Sequence, residues 1–329
     1  MTRSHRDPSL RGWLCAALLG VLVATPIPGA AQPAGRAFRI GYLSTAASMD
    51  EPFPQALREL GYVEGRNLTL EVRLAAGRLD RLPALAAELV SARVDLIVAV
   101  SPPAIQAAKL ATASIPIVMA FTSHDPVERG FVDSLAHPGH NITGVAMIAD
   151  EITGKRLALL REALPRATHL AVLAQKDHST TTGQLTAAQE TARSLGIQLD
   201  VVEVRDARDY PEAFDALKHA PGLFILSSPT FHEDRRSLAV RALNDHLPTL
   251  CEWRDMAEAG CLMSYGANLV DLSRRAATYV DRIARGARPG DLPIERPTRF
   301  ELVINTRTAA ALGVTVPQSL VLQADHIVK

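Results

Sequence analysis

Small hydroxyl and acidic side chains stand immediately after the short apolar runs of this chain. Ser44 and Thr45 follow FRIGYL, Ser101-Pro102-Pro103 follows VDLIVAV, and Thr122-Ser123-His124-Asp125 follows IPIVMAF. Farther on, Gln175-Lys176-Asp177 follows LAVLA, Ser227-Ser228-Pro229 follows LFIL, and Glu252-Trp253 follows PTLC. Groups of this size hydrogen-bond a small polar solute. They do not assemble into a reaction centre. The chain has no GxGxxG, no GxxxxGK and no GxSxG, the patterns that cradle phosphates or expose a nucleophile. His137 and His140 are close together in HPGH, but no third ligand is near, as a structural zinc site would need. Carboxylates are plentiful and no acid–base pair stands out. The expectation is a binding protein, not an enzyme, with no cofactor and no metal.

Several of these positions carry two readings. Ser101 with Pro102 behind it has the form of a helix N-cap with proline at the first helical position. Its two prolines remove two amide donors, so this helix end cradles phosphate less well than a glycine-rich loop. What remains, a hydroxyl and the amides of Ala104 and Ile105, either holds a carboxylate or only closes the turn. Asp125, followed by Pro126, either caps a helix or accepts a hydrogen bond from a ligand amine. Glu252 beside Trp253 sets a charge against an aromatic face, which suits an amine or an aromatic ring and equally suits hinge packing. Tyr265 in MSYG has the same two readings. The candidate ligand contacts are therefore Ser44, Thr45, Ser101, Pro102, Thr122, Asp125, Asp177, Ser227, Glu252 and Tyr265.

The elements that must position them alternate regularly. From Phe38 onward short apolar strands alternate with amphipathic helices; in LDRLPALAAELV, Leu79, Leu82, Leu85, Ala86 and Leu89 share one helical face. VDLIVAV is a continuous apolar run, as in a strand covered on both sides. A helix is expected over Pro126 to Leu135, and FPQALRELGYVEGRN is expected to open as a helix ended by Gly61, with a turn at Gly65. HPGHNITGVAM interrupts the rhythm with turn residues, and a second series of strands and helices begins near Glu151. Repeated βα units predict parallel sheets flanked by helices, here two Rossmann-like lobes. The last segment is too short for a third domain and is expected to return across both. The expected boundaries are 36–147 plus about 266–299 for the N-terminal lobe, and 148–265 plus about 300–329 for the C-terminal lobe. Multiple crossings between lobes make a hinge.

Composition narrows the function class. The 329 residues are 47% apolar and 21% charged, with Lys plus Arg and Asp plus Glu both at 35. That balance leaves no basic footprint for nucleic acid. At the N-terminus Arg3, Arg6 and Arg11 precede the apolar WLCAALLGVLVA, then TPIPG and small residues to Ala31. This is the form of a secretory signal peptide over 1–31, cleaved near Ala31, and its apolar run is short for a membrane span. An amphipathic first helix is the other reading. Export removes Cys15 and leaves Cys251 and Cys261, which an oxidising compartment permits to bridge; the alternative is two small buried hydrophobes.

ELGYVEGRNLTLEVR, DRLPALAAELV, PPAIQAAKLATASIPIV, DPVERGFVDSLAHPGHNITGV, EWRDMAEAGCLMSYG and PTRFELVINTRTAAALGVTVPQSLVLQAD occur in this order. Through them the chain resembles the ABC-transporter substrate-binding proteins of the tryptophan/tyrosine type over nearly all of its exported length. The resemblance implies a type I periplasmic binding fold whose two lobes are joined by three crossing strands. It implies capture of a small solute, an amino acid, aromatic acid or similar, for a permease in the inner membrane; with the leader, the expectation is a periplasmic protein acting as a monomer. It carries over binding roles to Ser44, Ser101 and Asp125 on one lobe and Ser227, Glu252 and Tyr265 on the other. TSHDP stands where relatives often have GGDP, and QKDHSTT where they have an Asn-Pro-rich loop, so the ligand need not be tryptophan or tyrosine. A sensor subunit feeding a membrane receptor would use the same fold.

Overall fold

A computed structural model describes residues 36–46, 49, 52–147 and 149–329. The leader expected over residues 1–31, Cys15 included, lies outside the described residues. The chain runs β1 (Phe38–Ser44), α1 (Pro52–Glu59), β2 (Leu68–Leu74), α2 (Leu82–Ser91), β3 (Leu96–Val100), α3 (Pro102–Ala111), β4 (Ile117–Thr122) and β5 (Ile142–Ala146). It continues through α4 (Ala149–Ala163), β6 (His169–Gln175), α5 (Thr181–Leu195), β7 (Gln198–Val204), α6 (Tyr210–Leu217), β8 (Leu223–Ile225), α7 (Pro229–Glu233), α8 (Arg235–Asn244), β9 (Thr249–Cys251), α9 (Arg254–Ala259) and β10 (Met263–Ala267). It ends with α10 (Leu269–Ala284), β11 (Phe300–Asn305), α11 (Thr306–Ala311), α12 (Gln318–Gln323) and β12 (His326–Val328).

The first sheet, β2-β1-β3-β4-β5, is parallel throughout. All five residues of β3 are buried, as the unbroken LIVAV requires, and each of its larger side chains contributes about 1.5–3 kcal/mol by leaving water. The second sheet, β12-β11-β10-β9-β8-β6-β7, departs from the parallel expectation at one place: β11 runs antiparallel to β10. The cause is the route of the chain. After β10 it goes to the first sheet, where α10 packs on α1, β4 and β5. It re-enters beside the end of β10, with Phe300 opposite Ala267. The chain thus passes between the sheets after β5, after β10 and before β11.

One helix expectation fails. Residues 126–135 form successive turns, because Gly130 takes φ +63° after a single helical turn from Asp125. The first helix ends where expected: α1 stops at Glu59, and Gly61 at φ +90° turns the chain toward β2. HPGHNITG holds the returning linker in place. Gly139 N donates to Gly290 O at 3.2 Å, Thr143 Oγ1 to Leu292 O at 2.7 Å, and Glu295 N to Gly144 O at 3.0 Å. Gly144 sits at φ +132°, where a Cβ would lie 2.2 Å from Met119 O. Only glycine meets both demands.

Candidate functional site

Parallel strands bring their carboxyl ends to one edge, where loops converge and ligands bind. Here the registers Ser44↔Val100 in the first sheet and Phe224↔Leu250 in the second set those ends level. One cavity joins both edges. Its walls are Ser44, Thr45, Ser101, Pro102 and Phe121 from the first sheet, and His178, Ser227, Ser228, His232, Glu252 and Trp253 from the second.

Phe121 and Trp253 face one another edge to plane at 5.8 Å between ring centroids. Phe121 is a strand residue that turns to the cavity because β4 is irregular: its register against β5 shifts between Met119 and Thr122, and β3 shifts against β4 between Ala99 and Val100. Trp253 is held by His232, whose ring stands 6.5 Å away and meets the Asp255 carboxylate at 2.8 Å. Burial pushes the Asp255 carboxyl up, but the His232 hydrogen bond and the charges of His232 and Arg235 outweigh it and hold it low.

The first-sheet lip is made of hydroxyls. Ser44 Oγ accepts from Ala46 N at 3.1 Å, and Thr45 Oγ1 lies 3.2 Å from Ser101 Oγ. Ser101 occupies the N-cap position of α3 without capping it by its side chain, and its backbone is at φ 85°, ψ 152°. For a residue with a Cβ this region costs of order 1–3 kcal/mol. The neighbouring structure imposes it, and the hydroxyl is thereby turned to Thr45 and the cavity.

The second-sheet lip is a buried polar chain. Arg156 of α4, fully buried, places Nη2 2.7 Å from Glu252 Oε1 and Nε 2.8 Å from Tyr265 O. Glu252 is 3% exposed and accepts a hydrogen bond from Ser227 Oγ. Gln184 grips the Ser227 backbone from both sides, accepting from its N at 2.8 Å and donating to its O at 3.0 Å, and donates to Thr180 Oγ1 at 2.8 Å. This geometry offsets part of the cost of burying two charges, with Arg156 Nη1 left buried and without a hydrogen-bond partner. Cys251, beside Glu252, is bonded to Cys261, with Cα atoms 6.5 Å apart.

The cavity collects six of the ten candidates, Ser44, Thr45, Ser101, Pro102, Ser227 and Glu252. The other four stand elsewhere. Thr122 is fully buried and accepts from His124 N. Asp125 caps its turn, accepting from Val127 N at 2.8 Å and Glu128 N at 3.3 Å. Asp177 is exposed at φ 59°. Tyr265 stacks on Phe300 at 5.9 Å and offers only its carbonyl, to Arg156. Phe121, His178, His232, Arg156 and Gln184 were not legible as site residues. An arginine or glutamine in an amphipathic helix reads as a solvated face, and no local pattern marks which one turns inward. Among the described residues no group of three metal-ligating side chains is assembled, and no helix is long and apolar enough to cross a membrane.

The sequence profile of the family described as ABC transporter substrate binding protein matches residues 47–328. A tyrosine-binding protein of Clostridioides difficile (strain R20291) is 25% identical over 277 residues, which cover 84% of this chain and 78% of that protein. A conserved domain protein from Vibrio cholerae superposes with a TM-score of 0.82 at 24% identity, over 89% of this chain and all of that one. A domain from Streptococcus pneumonia in complex with L-Trp superposes with a TM-score of 0.80 at 20% identity, again over 89% of this chain and all of that one.

Proposed function

The chain belongs to the ABC transporter substrate binding protein family, and from that premise we propose that its two-edged cavity takes a small aromatic amino acid for delivery to a membrane importer. One observation carries the reading: Phe121 and Trp253, from opposite sheets, face each other beside hydroxyls on one lip and a buried carboxylate on the other. An aromatic ring laid against this edge-to-face pair gains apolar contact from both side chains.

The lips have opposite hydrogen-bonding character. Among the described residues Ser44 Oγ acts as an acceptor, and Thr45 and Ser101 share a single bond, so this lip has hydrogens left for a ligand carboxylate. Ser227 spends its hydrogen on Glu252, so the second lip offers lone pairs to a ligand ammonium. A zwitterion with an aromatic side chain satisfies both ends. Ligand contacts are assigned to Ser44, Thr45, Ser101, Phe121, Ser227, Glu252 and Trp253.

In this reading the sheets belong to two lobes with the boundaries 36–147 plus about 266–299, and 148–265 plus about 300–329. They hinge on the three passages, and ligand favours closure by its differential affinity for the closed form. The leader exports the chain to the periplasm, where the permease reads the closed shape. Calorimetric titration of the leaderless protein with L-tryptophan, L-tyrosine, L-leucine, L-glutamate and L-lysine tests the ligand class. Micromolar or tighter binding confined to the aromatic members is expected. Equal binding of leucine, or silence towards all five from a folded protein, overturns it.

A further inference from the structure

His124 and His178 stand on opposite sides of the seam between the sheets, one in the loop after β4 and the other in the loop after β6. His124 is 9% exposed, and neither of its ring nitrogens has a hydrogen-bond partner of normal geometry. His178 lines the ligand cavity; one ring nitrogen meets Thr180 Oγ1 at 2.9 Å and its Nε2 is buried and unpartnered. Arg129 spans the same seam, its Nη2 donating to Ser179 O at 3.4 Å. We infer that this histidine pair is an acid-operated release: protonation sets two imidazolium charges against Arg129 across the seam, drives the loops apart and frees the ligand.

The electrostatic environment agrees in direction. Burial first, then Arg129 and His178, against the pull of the Ser179 backbone, holds His124 down at about 4. Burial, then Arg129, holds His178 at about 4. Asp125, Glu128, Asp150 and Glu151 face His124 in the same recess, and His232, Glu233 and Glu252 face His178 in the cavity. Glu252 is already paired with Arg156. Asp150 is raised by burial, then Glu128 and Glu151, so it loses its charge ahead of an ordinary carboxyl as pH falls. In an open form the imidazoles titrate near the ordinary value of about 6.5. The closed form binds fewer protons, so its advantage is complete above about 6.5 and drains away as pH falls toward 4.

Backbone hydrogen exchange of the ligand-free protein, corrected for intrinsic rates, tests this at pH 7.5 and 4.5. Expected is lost protection in residues 122–130 and 175–181 at the lower pH with β3 still protected, and no such loss in His124→Gln/His178→Gln. Should that variant not fold, His124→Asn alone serves, with a reduced loss. Unchanged loops, a general loss that includes β3, or an equal loss in the variants overturns the inference. A second arm measures L-tyrosine affinity, expected to fall on the order of tenfold per imidazole between pH 7.5 and 5. The inference rests on the closing cleft of the proposed function. If L-tyrosine fails to bind at pH 7.5, that ligand assignment falls while the exchange arm still decides this one.

Discussion

Phe121 and Trp253 meet at 5.8 Å with their planes 69° apart, although 132 residues and a change of sheet separate them in the chain. The contact is the apolar half of the candidate site, and Trp253 is 5% exposed and lines the cavity. Trp253→Ala is expected to weaken binding of an aromatic amino acid about 10–100-fold, since an aromatic pair adds to plain area burial. Calorimetry on a variant with unchanged circular dichroism measures this; affinity within twofold of the parent would remove Trp253 from the site.

Ser101 is the second test. Glycine at 101 relieves strain of order 1–3 kcal/mol and gives back about 0.5–1 kcal/mol through the greater freedom of its unfolded chain. Ser101→Gly should therefore stabilise the protein by roughly 1 kcal/mol while losing ligand affinity with its hydroxyl. Urea unfolding and calorimetry read the two effects separately. A destabilised variant would show that the backbone at 101 carries no strain.

Arg156 tests the buried network. Arg156→Met leaves Glu252 as an uncompensated charge and is expected to cost about 3–5 kcal/mol. Arg156→Met/Glu252→Leu should recover much of that stability and still fail to bind, because the second lip then has no anion. A single variant as stable as the parent in urea contradicts this assignment.

The Cys251–Cys261 bond closes a loop with a sequence separation of 10, for which chain entropy gives about 2.5–3 kcal/mol. Cys251→Ala/Cys261→Ala should lower the urea midpoint accordingly. It should also weaken ligand binding, since Glu252 and Trp253 are the next two residues. Binding unchanged in the variant would make the bond a matter of stability alone.

The strands and their exits were legible because continuous apolar runs such as LIVAV leave little choice, and because hydroxyls and carboxylates after them mark loop ends. The hidden part is what depends on tertiary geometry. Asp125 reads as cap or ligand contact from its neighbours, and its two amide partners make it a cap. Phe121 reads as one more core residue until the irregular register of β4 turns it outward. The antiparallel β11 was not foreseen, since direction is set by a detour through the other sheet rather than by anything in FELVIN. The short β12, α9 and α12 have too few periodic residues to stand out.

The three passages of the chain between the sheets have a genetic corollary. Neither half is encoded as one uninterrupted stretch. Splitting the coding sequence after β5 strands α10, which covers α1, β4 and β5, on the other fragment. Each half is finished only by residues synthesised after the other has begun, so the nascent polypeptide completes both together near its end, and separately expressed pieces should regain structure only when mixed.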